Sequence, residues 1–166
     1  MKRRLTILTL MTLAIAASIS VAWTAPSSAL AGGATQVSGV GFFDEAEPPV
    51  CAPVMDADFA VIMTGDLEGC LYTFIETQER SPSGTYRETG TELFVDSDGT
   101  STFETTYRFE AKYEDASTQS GEIFGRCQHP IVEGSGTGIF EDVTGRIDFK
   151  DDVEAGTFPY RGHLRF

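Results

Sequence analysis

Between Phe103 and Tyr113 the chain alternates without a break. Phe103, Thr105, Tyr107, Phe109, Ala111 and Tyr113 fall on one face of an extended strand, and Glu104, Thr106, Arg108, Glu110 and Lys112 fall on the other. Successive strand side chains point to opposite faces, so this pattern requires one side against a core and one side in water. A long aromatic strand of this kind is hazardous at a sheet edge, where unpaired N–H and C=O groups recruit other chains. A sheet that closes on itself removes the edge.

The C-terminus follows the same rule, with Phe158, Tyr160, Gly162, Leu164 and Phe166 opposite Pro159, Arg161, His163 and Arg165. Further strand-like runs are Thr35 to Phe43, Phe59 to Asp66, Gly69 to Glu79, Thr85 to Val95, Glu122 to Glu133 and Gly145 to Glu154, making about eight. Turn chemistry separates them at Ser81-Pro82-Ser83-Gly84, Asp98-Gly99, the polar stretch Asp115 to Gly121, and Asp151-Asp152. Connections this short favour antiparallel neighbours. No window of 11 or more residues beyond the N-terminal segment carries a helical period, which argues against a parallel sheet with crossover helices. Eight such strands can stack as a sandwich or close as a barrel. An immunoglobulin-like sandwich wants a core Trp packed on a disulfide, and the only Trp, Trp23, lies in the N-terminal segment. The expectation is therefore an all-β, eight-stranded antiparallel barrel, calycin-like in outline.

Residues 1–31 read as a secretory signal peptide. Lys2, Arg3 and Arg4 form a basic start, Leu5 to Trp23 is an uncharged apolar run, and Ala29-Leu30-Ala31 is a small-x-small cleavage site. Thr6 stands where a twin-arginine signal carries a large apolar residue, so general secretion is expected. Residues 32–166 then form one domain, its first part, 32–58, partly loop, of a size that supports one core. Loss of the three basic leader residues takes the net charge from −13 to −16. Such a surface repels nucleic acid and anionic membranes and suits a secreted or cell-envelope protein. Export also places Cys51, Cys70 and Cys127 where disulfides persist, with one thiol left over. Cys70 and Cys127 both lie in strand-like runs, whereas Cys51 lies in a loop, and the expected pair is Cys70 with Cys127.

Gly134-Ser-Gly-Thr-Gly-Ile-Phe-Glu-Asp-Val-Thr-Gly145 is the densest glycine cluster. Gly134, Gly136, Gly138 and Gly145 read as structural positions around Phe140, which is expected to plug the core within a strand-turn-strand closure. A phosphate loop would need a following helix, and none is indicated. The run from Gly136 to Gly145, with Tyr160-Arg161-Gly162 in a final strand, resembles the G-x-G-x-F-x-G-A-T-G segment of the allene oxide cyclase and dirigent barrels. Asp142-Val143 replaces the usual Gly-Ala of that pattern. The resemblance implies an eight-stranded barrel with an apolar lumen that, in those families, orients or cyclises a small hydrophobic intermediate. It transfers no catalytic residue.

Arg126-Cys127-Gln128-His129-Pro130 gathers the most reactive side chains in one strand. Pro130 lacks a ladder N–H and suggests a bulge, which could aim Arg126 or His129 into the lumen; the plainer reading is an exposed His at a barrel rim. Tyr107, Phe109, Tyr113, Arg126 and His129 are the candidate ligand-binding residues, against the alternative that the aromatics simply fill the interior. Asp148, Asp151, Asp152 and Glu154 read as a solvated acidic turn rather than a cation site, and Asp96-Ser-Asp-Gly99 as a hairpin turn rather than a calcium loop. No catalytic set, metal site or cofactor is expected. Three functions remain in view: a non-catalytic binder of a small apolar ligand, an isomerase or cyclase that orients a hydrophobic substrate, and an acidic cell-envelope interaction protein.

Overall fold

The computed structural model describes residues 33–115 and 117–166, so the leader expected over 1–31 lies outside the described residues. Eight strands follow in chain order: β1 (Thr35–Phe43), β2 (Phe59–Gly65), β3 (Gly69–Arg80), β4 (Thr85–Asp96), β5 (Thr102–Asp115), β6 (Ser120–Pro130), β7 (Thr144–Lys150) and β8 (Phe158–Arg165). Each is antiparallel to the next, and β8 returns to pair with β1 from Thr35–Leu164 to Gly41–Phe158, closing the barrel. The all-β, eight-stranded antiparallel expectation is met. Among the described residues no helix is long and apolar enough to cross a membrane.

Alternation decides what fills the interior. β5 buries Phe103, Thr105, Tyr107, Ala111 and Tyr113, and β8 buries Tyr160, Gly162 and Leu164, while Glu104, Arg161 and His163 face water. The interior is not uniform along the barrel axis. At one end, Phe94 and Phe103 stack at 4.8 Å and Phe140 meets both edge-on, at 5.7 and 5.1 Å. Met63, Leu67, Val143 and Leu164 complete this dry end. Burying each of these apolar side chains contributes about 1.5–3 kcal/mol.

The glycine-rich segment covers the dry end, but not as strand-turn-strand. β6 stops at Pro130, and residues 131–143 form a cover whose one helical element is a 3-10 turn, Gly138–Phe140. Gly138 has φ +62° and lies against Ser101, where a Cβ would come within 2.5 Å of the Ser101 Oγ, so both the turn and the close contact require glycine. Thr137 and Ser135 tie the cover to β5 by accepting from the Thr102 and Glu104 amides at 3.0 and 2.9 Å.

The disulfide joins Cys51 to Cys70, and Cys127 is a free buried thiol, which corrects the expected Cys70–Cys127 pair. The reason is alternation. On β3, Leu71 and Thr73 point inward, so Cys70 and Tyr72 point out, where the loop between β1 and β2 lies over the wall. Asp44 accepts from the Val50 and Cys51 amides, and Tyr72 donates to the Ala52 carbonyl at 2.7 Å, fixing that loop. Cys127 lies on the lumen side of β6, with Gly125 and His129, and a barrel wall separates it from Cys70.

Pro130 does not create the expected bulge. The β5–β6 ladder runs to Arg108–Gln128 and resumes in the same register at the Thr105–Ile131 bridge, so proline interrupts the hydrogen bonds without shifting the strand. The bulge lies at the other end of β6, where Lys112–Phe124 gives way to Tyr113–Glu122.

Candidate functional site

Above the dry end the lumen widens into a cavity of about 240 Å³. Three neighbouring strands build its floor through one register line, Thr73–Glu92 across β3 and β4 and Glu92–Thr105 across β4 and β5. Glu92 accepts from the Thr105 hydroxyl at 2.7 Å and the Thr73 hydroxyl at 3.3 Å, and it makes a close hydrogen-bond contact with His129 Nδ1 from β6. Both side chains of this pair are about 5 % exposed or less. Nδ1 therefore carries the proton that Glu92 accepts, while Nε2 has no hydrogen-bond partner. The imidazole lies nearly parallel to the Tyr107 ring at 6.1 Å and tilts against Phe149 at 4.6 Å.

Two inward positions along β4, nearer the opening, stands a second buried carboxylate, Glu88. It accepts from the Tyr107 hydroxyl at 2.7 Å, from Gln78 at 3.2 Å and, closely, from the Tyr86 hydroxyl. Gly90, between the two acids on β4, makes this possible. It pairs with Tyr107, and a Cβ there would come within 2.7 Å of the Tyr107 ring. Burial first, and the Glu88 carboxylate second, push the Tyr86 and Tyr107 hydroxyls well above the usual phenol range. The Cys127 thiol is likewise pushed up by burial and then by the negative Glu92, Asp151 and Glu88, so it is not a nucleophile.

The mouth holds a second acidic pair. Asp151 folds back over Gly125, its Oδ2 2.0 Å and the Glu122 Oε1 2.6 Å from where a Cβ on that glycine would stand. Burial, followed by the hydrogen bond and repulsion from Glu122, raises the Asp151 carboxyl to about 7. Glu122 Oε1 finds no donor among its neighbours, so the proton it shares with Asp151 is its only partner. Tyr113 lies alongside, pushed up to about 12 by burial and then by the two acids and Glu88. Phe43, Phe59 and Phe158 form an edge-on cluster across the rim, with centroids 4.7 and 5.4 Å from Phe43.

Of the residues singled out from sequence, Tyr107, Phe109, Tyr113 and His129 line this one cavity. Arg126 does not. It alternates to the outer wall, pairs with Glu110 at 2.9 Å, and is 68 % exposed. His129 is not the exposed rim residue of the plainer reading, because simple alternation from Cys127 carries it inward. Gly134, Gly136, Gly138, Phe140 and Gly145 belong to the cover and the strand after it, at the far end. A larger concavity of about 550 Å³ lies outside the wall beside Arg87, Arg108 and Arg126. Its charges are largely spent on Arg87–Glu110–Arg126 pairs in water, whereas the lumen concentrates buried, oriented groups.

The acidic turn after β7 separates on folding. Asp151 enters the mouth, Asp148 points outward to Arg146 at 2.8 Å, and Asp152 accepts from the Ala155 amide. Among the described residues no group of His, Cys, Asp and Glu is placed to hold a metal ion. Asp96 and Asp98 cap the Thr100 amide, as a hairpin turn requires.

Glu88, Glu92 and Glu122 were not singled out from sequence, and Asp151 was placed only in a solvated acidic turn, which its burial at the mouth corrects. A signal was present for the first two, since Tyr86, Glu88, Gly90, Glu92 and Phe94 share one strand face that begins and ends on an aromatic. The chain matches no protein-family model and no curated protein.

Proposed function

We propose that this is a secreted, non-catalytic binding protein that holds a small, largely apolar molecule in the barrel lumen. The observation that carries the reading is the 240 Å³ cavity, to which eight Phe and Tyr side chains contribute and in which Glu88, Glu92 and His129 are buried and fixed by hydrogen bonds. Ligand sites have this composition, and the volume, below the roughly 300–1,000 Å³ of drug-sized pockets, suits a molecule of about one ring. The Cys51–Cys70 bond accords with an oxidising compartment and so with the expected leader. The barrel also accords with the likeness to allene oxide cyclase and dirigent proteins, although a shared fold assigns no reaction.

Native mass spectrometry of the protein isolated without organic solvent tests the reading. It should show a small non-covalent adduct, or uptake of single-ring compounds, that Cys127→Phe abolishes by filling the lumen. Failure of the unaltered protein to take up any such compound would end the proposal.

The Glu92–His129 pair favours a second reading, an isomerase. A carboxylate that fixes the imidazole at Nδ1 leaves Nε2 to take a proton from a substrate carbon and return it to another, with no net change in atoms. Under that reading His129→Gln would keep ligand affinity and lose turnover; equal turnover would exclude it.

A further inference from the structure

At the depth of Glu88 and Glu92, hydrogen-bond donors are already committed. Tyr86, Tyr107 and Gln78 serve Glu88, and Thr73, Thr105 and His129 Nδ1 serve Glu92, leaving only the weak Cys127 thiol. Of the fully buried polar atoms left without a partner, those in the lumen are acceptors: His129 Nε2, on a side chain about 5 % exposed, and, once Asp151 gives up its proton, Glu122 Oε1 at the mouth. No Lys or Arg lines the cavity among the described residues; His129 already serves Glu92 and Arg80 lies over the Tyr86 ring, so Glu88, Glu122 and Asp151 have no ion-pair partner. Around them stand the rings of Tyr107, Tyr113, Phe109 and Phe149, while Tyr86 already carries the Arg80 guanidinium at 5.4 Å. Uncompensated negative charge, spare acceptors and aromatic faces all favour the same visitor, since a cation over an aromatic ring gains further when desolvated. A bare metal ion is not favoured, because among the described residues no cluster of metal-ligating side chains is assembled.

We propose that the lumen ligand is a small organic cation, an arylalkyl- or alkylammonium whose apolar body packs on the aromatic wall and whose nitrogen donates to the free acceptors and faces the carboxylates. This rests on the reading that the lumen binds a small molecule, and it reverses the expectation of a purely apolar ligand.

Isothermal titration at pH 7.5 and low salt with three probes of one shape, phenethylamine, 2-phenylethanol and phenylacetate, tests it. The amine should bind about tenfold or more tighter than the alcohol, by cation–π and charge attraction in a partly dry site, and the acid should not bind. Glu122→Gln and Glu88→Gln should each lower the amine-to-alcohol ratio severalfold, with circular dichroism confirming the fold. Alcohol binding as tight as amine would overturn the cation proposal and leave lumen binding standing. Failure of all three probes would overturn both.

Discussion

Replacing Glu92 and His129 singly and together distinguishes a coupled buried pair from two independently tolerated polar residues. In His129→Leu, Glu92 keeps the Thr105 and Thr73 hydroxyls but loses the Nδ1–H donor in a nearly water-free site. Removing one member of a buried pair costs about 3–5 kcal/mol because the remaining charge is uncompensated. In Glu92→Met, the imidazole Nδ1–H and two hydroxyls lose their acceptor, at about 1–3 kcal/mol for each group that stays buried and unpaired. If the residues were independent, the double variant would lose the sum. It instead contains no buried charge, and only the Thr73 and Thr105 hydroxyls remain without an acceptor, so its cost should be about 2–6 kcal/mol, well below the sum.

The coupling energy is therefore expected to exceed about 2 kcal/mol in favour of the pair. Urea unfolding followed by far-ultraviolet circular dichroism measures it, provided the m-values of the four proteins agree. Additive losses, to within about 0.5 kcal/mol, would refute the reasoning, because they would mean that Glu92 and His129 do not rely on one another.

Loss of the Cys51–Cys70 bridge in Cys51→Ser/Cys70→Ser should cost about 3 kcal/mol by loop-closure entropy for a separation of 19 residues, read as a lower urea midpoint. In the native protein Cys127 should resist an aromatic disulfide reagent at pH 8 and react fully once unfolded; fast native labelling would contradict a buried, raised thiol. Asp151, raised to about 7 from 3.8, holds its proton more tightly when folded, so its stabilising contribution is complete below about pH 4 and is lost as pH climbs through 7. Asp151→Asn should accordingly raise stability by about 1 kcal/mol at pH 8, after discounting for solvent at the open mouth, and by nothing at pH 4; equal gains at both would exclude the linkage. Phe140→Ala should cost about 3–5 kcal/mol as a core aromatic, yet leave lumen affinities unchanged, because the cover is at the opposite end.

The wall of this barrel was legible because period two is a local property. Phe103 to Tyr113 and Phe158 to Phe166 state their faces in sequence, and the strand bounds follow within a residue or two. The cover was misjudged because the same glycines permit either a hairpin or a 3-10 turn, and packing against Ser101 and Phe94 decides between them. The disulfide was misjudged for a different reason. Two cysteines in strands can face opposite sides of one wall, and choosing between them needed the parity of β3 and β6 relative to the closed barrel. The acids of the lumen were hidden by a habit of assigning carboxylates to water. β4 carries Glu88 and Glu92 in phase with Tyr86 and Phe94, and parity outranks polarity once those aromatics are inside. Asp151 had no such signal, since it follows the last residue of β7 and turns inward only because Gly125 leaves room.

The placement of those acids is hard to explain as a stability device. Leucine or methionine in place of a buried carboxylate pair is often neutral or stabilising, so Glu88, Glu92 and the Glu122–Asp151 pair together weaken a barrel that needs none of them to close. The molecule tolerates them because stability is concentrated elsewhere. The Phe94, Phe103 and Phe140 cluster, the covering segment and the Tyr160 hydroxyl bonded to the Leu67 amide hold the dry end. Local rules of folding that are broken at one end and kept at the other make the broken end the candidate site. The break has a consistent sense: buried acceptors left over, carboxylates outnumbering bases, and aromatic rings around an open lumen. A ligand that brings donors, positive charge and an apolar body would resolve all three at once, and its binding would then restore to the mouth end the stability that the carboxylates cost it.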